Sequence, residues 1–354
     1  MTRRSLTIGL GTLAAAGPII TACGGGGDNN AVESDPSPGS GGSGSGLSGS
    51  FWYEDKGDLI KVGSGGAGTP TAVARILGAS GGVSTWFPRI SRQSSRYLQL
   101  GHTGATTNVT TALQCFDHAS HNPYCFVDMA GFASDVLVSP SGRFISALRS
   151  PELLKTIDYA GPNSEVGLVI VDIADVNNIR AVREAYLSGP EAVHSFCWLD
   201  GDRFVYVAYD HSIVTGLASA GPQQDRTMGR IDVRGQGFGG FDLHPDGSTM
   251  LVKLIQSNSS SDIYLYSSTG EWLDRMTAVD QAYAPQWSPD GRHFAFKWGS
   301  SSGCLPVTCS GSGGSTCTGF FSASTSRNLE YSQATQFDGL KVPCRKETYW
   351  SAID

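Results

Sequence analysis

The segment between Cys115 and Cys125, Phe116-Asp117-His118-Ala119-Ser120-His121-Asn122-Pro123-Tyr124, holds the most concentrated local chemistry in the chain. Asp117, His118 and His121 together make a zinc-type ligand set, two imidazoles and one carboxylate, if a turn converges them. The plainer reading is a polar surface loop, and it is preferred because the sequence shows no fourth ligand. No cofactor is implied, and a metal stays open. A second set, Asp172, Asp210, Asp232, Asp242 and His194, lies on or near predicted strands and would suit a central channel holding a metal. Aspartate is also a usual turn and strand-end residue, and that assignment is favoured. No strand-to-helix G-x-S-x-G elbow for a serine hydrolase is present.

Cysteines supply the other chemistry. Apart from Cys23, the chain has Cys115, Cys125, Cys197, Cys304, Cys309, Cys317 and Cys344. In an oxidising compartment Cys115 and Cys125 are expected to pair across their short loop. Cys304, Cys309, Cys317 and Cys344 sit in or beside a Gly/Ser-rich insertion that two disulfides would staple, with the connectivity open. Their spacing does not match a Cys-x-x-Cys zinc knuckle. Cys197 lies in the apolar run Ser195-Phe196-Cys197-Trp198 and reads as a buried free thiol.

These groups have to be positioned by strands, because the chain is organised around Ala284-Pro285-Gln286-Trp287-Ser288-Pro289-Asp290-Gly291-Arg292-His293-Phe294-Ala295-Phe296. It reads as a strand, a tight turn and a second, alternating strand. Pro289 presets φ, Asp290 can accept the following amides, and Gly291 takes the positive φ. Reduced copies recur with Pro245, Asp246 and Gly247, with Pro140 and Gly142, and with Asp200 and Gly201. A fainter copy is Pro88-Arg89-Ile90-Ser91, and Tyr349-Trp350-Ser351-Ala352 stands where a further turn would begin. The spacing, roughly 45 to 60 residues, fits the four-stranded blade of a β-propeller. Strands such as Asp262-Ile263-Tyr264-Leu265-Tyr266 and Gly167 to Asp172 complete the units. Trp198, Trp287, Trp298 and Trp350 read as packing between blades.

This repeat resembles that of the TolB-like propellers, a WD40-like repeat group with a P-x-W-S-P-D-G hairpin before an "IY-x-x-D" strand. The resemblance covers most of the chain after residue 50. The fold expected is all-β: a propeller of six four-stranded blades over residues 50–354. Its ring closes with strands from both ends, Glu347 to Ser351 beside Phe51-Trp52-Tyr53, Leu59 to Val62 and Thr71 to Ala74. The resemblance also implies a periplasmic protein that works through protein partners. It departs from TolB in its anchor, in lacking a separate N-terminal α/β domain and in its cysteine-rich insertion, so TolB's own partners do not carry over.

The chain opens with Arg3, Arg4, an apolar run from Leu6, and Ile20-Thr21-Ala22-Cys23. That layout is an export signal over residues 1–22, with Cys23 resembling the lipidated cysteine of a bacterial lipobox. The paired arginines also suit twin-arginine export. Residues 23–49 are nearly all Gly, Ser, Asp, Asn and Pro, a flexible tether of the order of 25 to 30 Å. Gly24, by resemblance to proteobacterial lipoproteins, favours the outer membrane. The formal net charge of −7, with 16% charged residues, argues against nucleic acid and against a polybasic membrane patch. The reading is a monomeric, lipid-anchored envelope lipoprotein that binds a protein or peptide partner without catalysis. The alternative is a propeller hydrolase or lactonase with a channel metal.

Overall fold

The computed structural model describes residues 4–6, 48–55, 57–63, 70–76, 83–92, 94, 96–103, 110–130, 132–150, 166–257, 260–298, 316–343 and 348–352. Among them the regular elements are β-strands and short 3₁₀ turns. In chain order, β1 is Arg4–Leu6, and sheet one is built from β2 (Ser50–Asp55), β3 (Asp58–Gly63) and β4 (Thr71–Arg75). Sheet two holds β5 (Val83–Ile90), β6 (Arg96–Thr103), β7 (Thr110–Asp117) and β8 (Pro123–Ala130). Sheet three holds β9 (Phe132–Val138), β10 (Phe144–Ser150), β11 (Val166–Asp172) and β12 (Arg180–Leu187). Sheet four is β13 (Val193–Trp198), β14 (Arg203–Ala208), β15 (Ser212–Leu217) and β16 (Arg226–Arg230). Sheet five is β17 (Gly237–Leu243), β18 (Thr249–Ser257), β19 (Ser260–Ser267) and β20 (Trp272–Arg275). Sheet six is β21 (Ala282–Trp287), β22 (His293–Trp298), β23 (Thr316–Ala323) and β24 (Thr335–Pro343), after which β25 (Thr348–Ser351) returns to sheet one.

The sheets form a propeller, with one correction to the expected architecture. Five sheets are four-stranded antiparallel blades, not the six expected, and the remaining sheet has five strands. Its extra strand is β1, which lies parallel to β8 with Arg4 opposite Val127 and Leu6 opposite Met129. The outer strand of a blade keeps a row of unpaired backbone groups, and a short extended segment can add to it. The expected closure is present: β25 pairs antiparallel with β2, Trp350 opposite Phe51 and Tyr349 opposite Trp52.

The core follows from how the sheets are stacked. Each of six apolar clusters sits between two neighbouring sheets rather than at a common centre. Strands in the middle of a sheet are therefore covered on both faces, and every residue of β11, Val-Gly-Leu-Val-Ile-Val-Asp, is buried. Outer strands β4 and β16 are mostly exposed.

The turns between the first and second strands form a ring at one end. Gly142 N–H donates to the Ser139 carbonyl at 2.8 Å, Gly247 to His244 at 2.8 Å and Gly291 to Ser288 at 2.9 Å. All three glycines have φ near +70°, together with Gly201 at 47°. Each turn also rests on its neighbour. Arg96 Nη1 donates to the Gly142 carbonyl at 2.8 Å, Ser141 Oγ donates to Asp202, and His244 Nε2 lies 3.2 Å from the Gly291 carbonyl. A Cβ on Gly247 would come within 2.7 Å of Leu199. The last links are made by β25: Trp350 Nε1 donates to the Ser48 carbonyl at 2.9 Å, and Ala352 N–H to the Arg92 carbonyl at 2.8 Å.

Deleting residues 347–354 removes β25 and exposes β2 along its inner edge. Loss of the buried Trp350 alone is worth about 3 to 5 kcal/mol, and a domain of this size loses about 2 to 4 °C per kcal/mol. The melting temperature of the truncated protein is expected to fall by roughly 10 °C or more, and an unchanged melting curve would contradict closure through β25.

Candidate functional site

The innermost strands β5, β9, β13, β17, β21 and β25 all contribute to one cavity of about 350 Å³ on the propeller axis. It reaches the turn-bearing end, where Ser91, Pro140 and Leu199 are part of its wall. Five of these strands carry a β-bulge. Pairing skips between Val83 and Trp86 in β5, Ser134 and Leu137 in β9, Val193 and Ser195 in β13, Phe238 and Phe241 in β17, and Tyr283 and Gln286 in β21. A bulge leaves one residue unpaired and re-aims its neighbours. Here Asp135 (φ 44°) and Ala284 (φ 50°) take left-handed backbone at the bulges, and both line the cavity.

An ion pair crosses the ring. Arg92 follows β5 and Asp242 lies in β17; Arg92 Nη2 pairs with Asp242 Oδ2 while Nη1 donates to the Leu243 carbonyl at 2.6 Å. The same carboxylate oxygen accepts the Trp287 backbone N–H at 2.6 Å, so sheets two, five and six meet at one group. Desolvation pushes the Asp242 pKa up, and the Arg92 charge is the main influence opposing it. Cys197, the free cysteine among the described residues, places Sγ 3.9 Å from Asp242 Oδ1. Burial, then the Asp242 carboxylate, pushes that thiol up to about 12, which keeps it protonated and unreactive. Arg89 Nη1 donates to Tyr349 Oη at 3.1 Å, and Lys297, paired opposite Tyr283, completes the cationic lining.

No protein-family profile and no curated protein matches the chain. Solved structures do. TolB from Acinetobacter baumannii aligns with a TM-score of 0.51 at 10% identity, over 86% of this chain and 67% of that one. The fold is that of a TolB-like propeller. Lower-scoring alignments are a putative TolB from Agrobacterium tumefaciens, with a TM-score of 0.42 at 14% identity over 86% and 97% of the two chains, and an oligogalacturonate lyase from Vibrio parahaemolyticus, with 0.47 at 14% over 70% and 71%.

Within this TolB-like ring the residues singled out from sequence go to different places. Of Asp172, Asp210, Asp232, Asp242 and His194, the cavity is lined by Asp242. Asp172 pairs with Arg143 at 2.8 Å, Asp210 accepts the Ser212 N–H and hydroxyl at 2.8 Å, and Asp232 accepts the Arg234 N–H at 3.0 Å. His194 sits in the β13 bulge between the rings of Tyr209 and Phe238. Trp287 is core, while Trp198 and Trp350 both pack between sheets and line the cavity.

The segment between Cys115 and Cys125 is a hairpin tip, and the two cysteines are disulfide-bonded directly across β7 and β8. Among the described residues no three His, Cys, Asp or Glu groups come together as a ligand set. Asp117 Oδ1 instead accepts the Ala119 and Ser120 amides at 3.0 Å. His118, 6% exposed, inserts its ring against Trp52 and Tyr97, joining sheets one and two. His121 Nδ1 lies 3.3 Å from Tyr97 Oη. Cys317 lies in β23, while Cys23, Cys304, Cys309 and Cys344 fall outside the described residues, as do the disulfides expected of the last four cysteines.

Arg89, Arg92, Asp135 and Lys297 were not singled out as functional from sequence. The signal for the first two is their place within and just after the faint turn copy at Pro88 to Ser91. Asp135 needs the bulge, and Lys297 reaches the axis from a second strand beside one.

Two predictions follow from this geometry. Breaking a buried ion pair by removing one partner costs about 3 to 5 kcal/mol. Asp242→Asn should therefore lower unfolding stability in urea by that order, and Arg92→Met with Asp242→Leu together should recover most of it. If the single and double variants are equally unstable, the pair is not the cause. The second concerns pH. Burial, followed for His118 by the charge of His121, lowers the pKa values of His118 and His194 to about 4. The unfolded chain titrates near 6.5, so the neutral, buried form stabilises the fold fully above that value. This contribution is lost progressively as pH falls to about 4 and changes little below. The His118→Phe variant should show a shallower loss of melting temperature over this window, by an amount corresponding to roughly 3 kcal/mol at most. An identical pH profile would contradict a buried neutral imidazole.

Proposed function

We propose that this protein is an extracytoplasmic lipoprotein whose TolB-like propeller binds a protein or peptide of the cell envelope and catalyses no reaction. The observation that carries the reading is the state of Asp242. It is one of two carboxylates on the cavity wall, beside Asp135, and Arg92 and the Trp287 amide engage it as a strut joining three sheets. A rigid wall of this kind suits recognition. The Cys115–Cys125 disulfide supports an oxidising compartment. The leader, Cys23 and the Gly/Ser tether support anchoring at the outer membrane. Because the tether joins the ring at Ser48, against the turn-bearing end, the loops at the other end are offered away from the lipid. Processing before Cys23 removes β1 and leaves β8 as an open edge of sheet two.

A crosslinking capture from intact envelopes, native protein against Cys23→Ala, tests this reading. A stoichiometric partner with the native protein, a mature N-terminus at an acylated Cys23 by mass spectrometry, and release of Cys23→Ala from the membrane fraction are expected. An uncleaved leader, or a purified protein that turns over an ester or lactone substrate, would overturn it.

A further inference from the structure

We propose that the outer edge of β8 in sheet two is a strand-addition site, which takes an extended peptide segment of the envelope partner, parallel to β8, once the leader that fills it is removed. This rests on the leader and partner reading given above and names the surface that the partner meets. The chain itself supplies the first observation. Residues 4–6 lie on that edge as β1, parallel to β8, with Arg4 opposite Val127, Ser5 opposite Asp128 and Leu6 opposite Met129. An extended segment thus fits there through backbone pairing, and Pro123 to Phe126 continue the edge beyond this register. The second observation is what β8 lacks. Outer strands are ordinarily defended against foreign strands by charged side chains, lysine above all, or by proline. Arg75 in β4, Arg180 in β12, Arg226 in β16, Arg275 in β20 and Lys341 in β24 stand on the outer strands of the other five sheets. β8, Pro-Tyr-Cys-Phe-Val-Asp-Met-Ala, has neither lysine nor arginine; its proline is its first residue, and Asp128 is buried.

The faces of sheet two decide what the added segment should carry. Residues opposite one another on neighbouring strands share a face of the sheet. Cys125, Val127 and Met129 belong to the cluster between sheets two and three, against which Tyr124 and Ile179 are partly buried. The two residues of an added strand opposite Val127 and Met129 share that face, so apolar side chains there extend the cluster. The residue between them, opposite Asp128, falls on the face of Phe126, which packs against the cluster between sheets one and two. The fitting partner is therefore an extended segment with apolar residues at two alternate positions. Main-chain bonds supply its affinity and the alternate positions its selectivity. The leader has Leu6 at one of these positions and Arg4 at the other, which makes it an occupant that a segment apolar at both can outbind.

The test is fluorescence anisotropy of a labelled peptide of residues 2–10, TRRSLTIGL, titrated with the chain beginning at Cys23 and with the full-length protein. The chain from Cys23 should bind it saturably with a dissociation constant of about 1 mM or tighter, and the full-length protein, its edge filled, about tenfold or more weakly. N-methylation of the peptide at Ser5 and Leu6 removes ladder donors and keeps every side chain, and should weaken binding by about tenfold or more. Arg4→Val in the peptide should tighten it by about threefold or more, and hydrogen exchange of the β8 amides should slow on binding. No saturable binding at millimolar peptide, equal binding of the methylated peptide or by the full-length protein, weaker binding of the valine peptide, or protection confined to other strands would overturn the proposal. So would dimerisation of the chain from Cys23 through β8 in place of peptide binding, read by sedimentation. Should that chain fail to fold, Ser5→Pro in the full-length protein displaces β1 by removing a ladder donor and is titrated instead, with the same expected and contrary results. Leader cleavage and Cys23-dependent capture are read without this titration, so the two readings fail separately.

Discussion

Everything in this molecule depends on turns that must accept a neighbour. A Ser-Pro-Asp-Gly turn is commonly explained by the dihedral freedom of its glycine, and φ near +70° at Gly247 and Gly291 is consistent with that. The ring adds a second demand on the same atom. Leu199 of one sheet lies where a Cβ of Gly247 would stand, and the His244 ring where a Cβ of Gly291 would stand. The absence of a side chain thus lets the strands reverse and lets the next sheet approach. Because each turn locks onto the one before it, the angle between sheets is set at this end, and six apolar clusters fill the wedges that open outward.

Closing the ring in this way determines what the axis can be. Inner strands held at their lower ends by turn contacts must still fit around a common centre, and the bulges in five of them absorb the extra length. The bulges turn Asp135 and the Tyr283 to Gln286 segment toward the cavity. Arg92 and Asp242 then connect strands far apart in sequence, and they do so through a carboxylate whose burial would be costly without its partners. The same features that stabilise the ring therefore set the charge and shape of its channel.

How much of this could be read from sequence follows the reach of each signal. The hairpin turns and the four-stranded repeat are local patterns repeated along the chain, and repetition made them legible, as it did the pairing of β25 with β2 that completes a repeat unit from both ends. The strand β1 was not, because three residues adding to an open edge leave no periodic trace. The axial residues divide in the same way. Asp242 precedes a clear turn copy and was singled out, whereas Asp135 depends on a bulge and Lys297 on the position of a second strand relative to it.

Residue type says least where burial decides the outcome. Asp117, His118 and His121 have the composition of a zinc site, yet both imidazoles lie against Tyr97 while the carboxylate turns to its own backbone. Asp117 stays outside and closes the turn with its own backbone, while His118 becomes an aromatic wedge against Trp52 and Tyr97. Neither His118 ring nitrogen meets a hydrogen-bond partner among the described residues. A buried imidazole in that position costs free energy that its packing must offset. Asp242 is the reverse case: its burial comes with Arg92, a backbone amide and a place on the axis. The same physical penalty, removal of a polar group from water, gives an inert joint at one position and a charged, ordered channel wall at the other, and the difference lies in whether the fold supplies a partner.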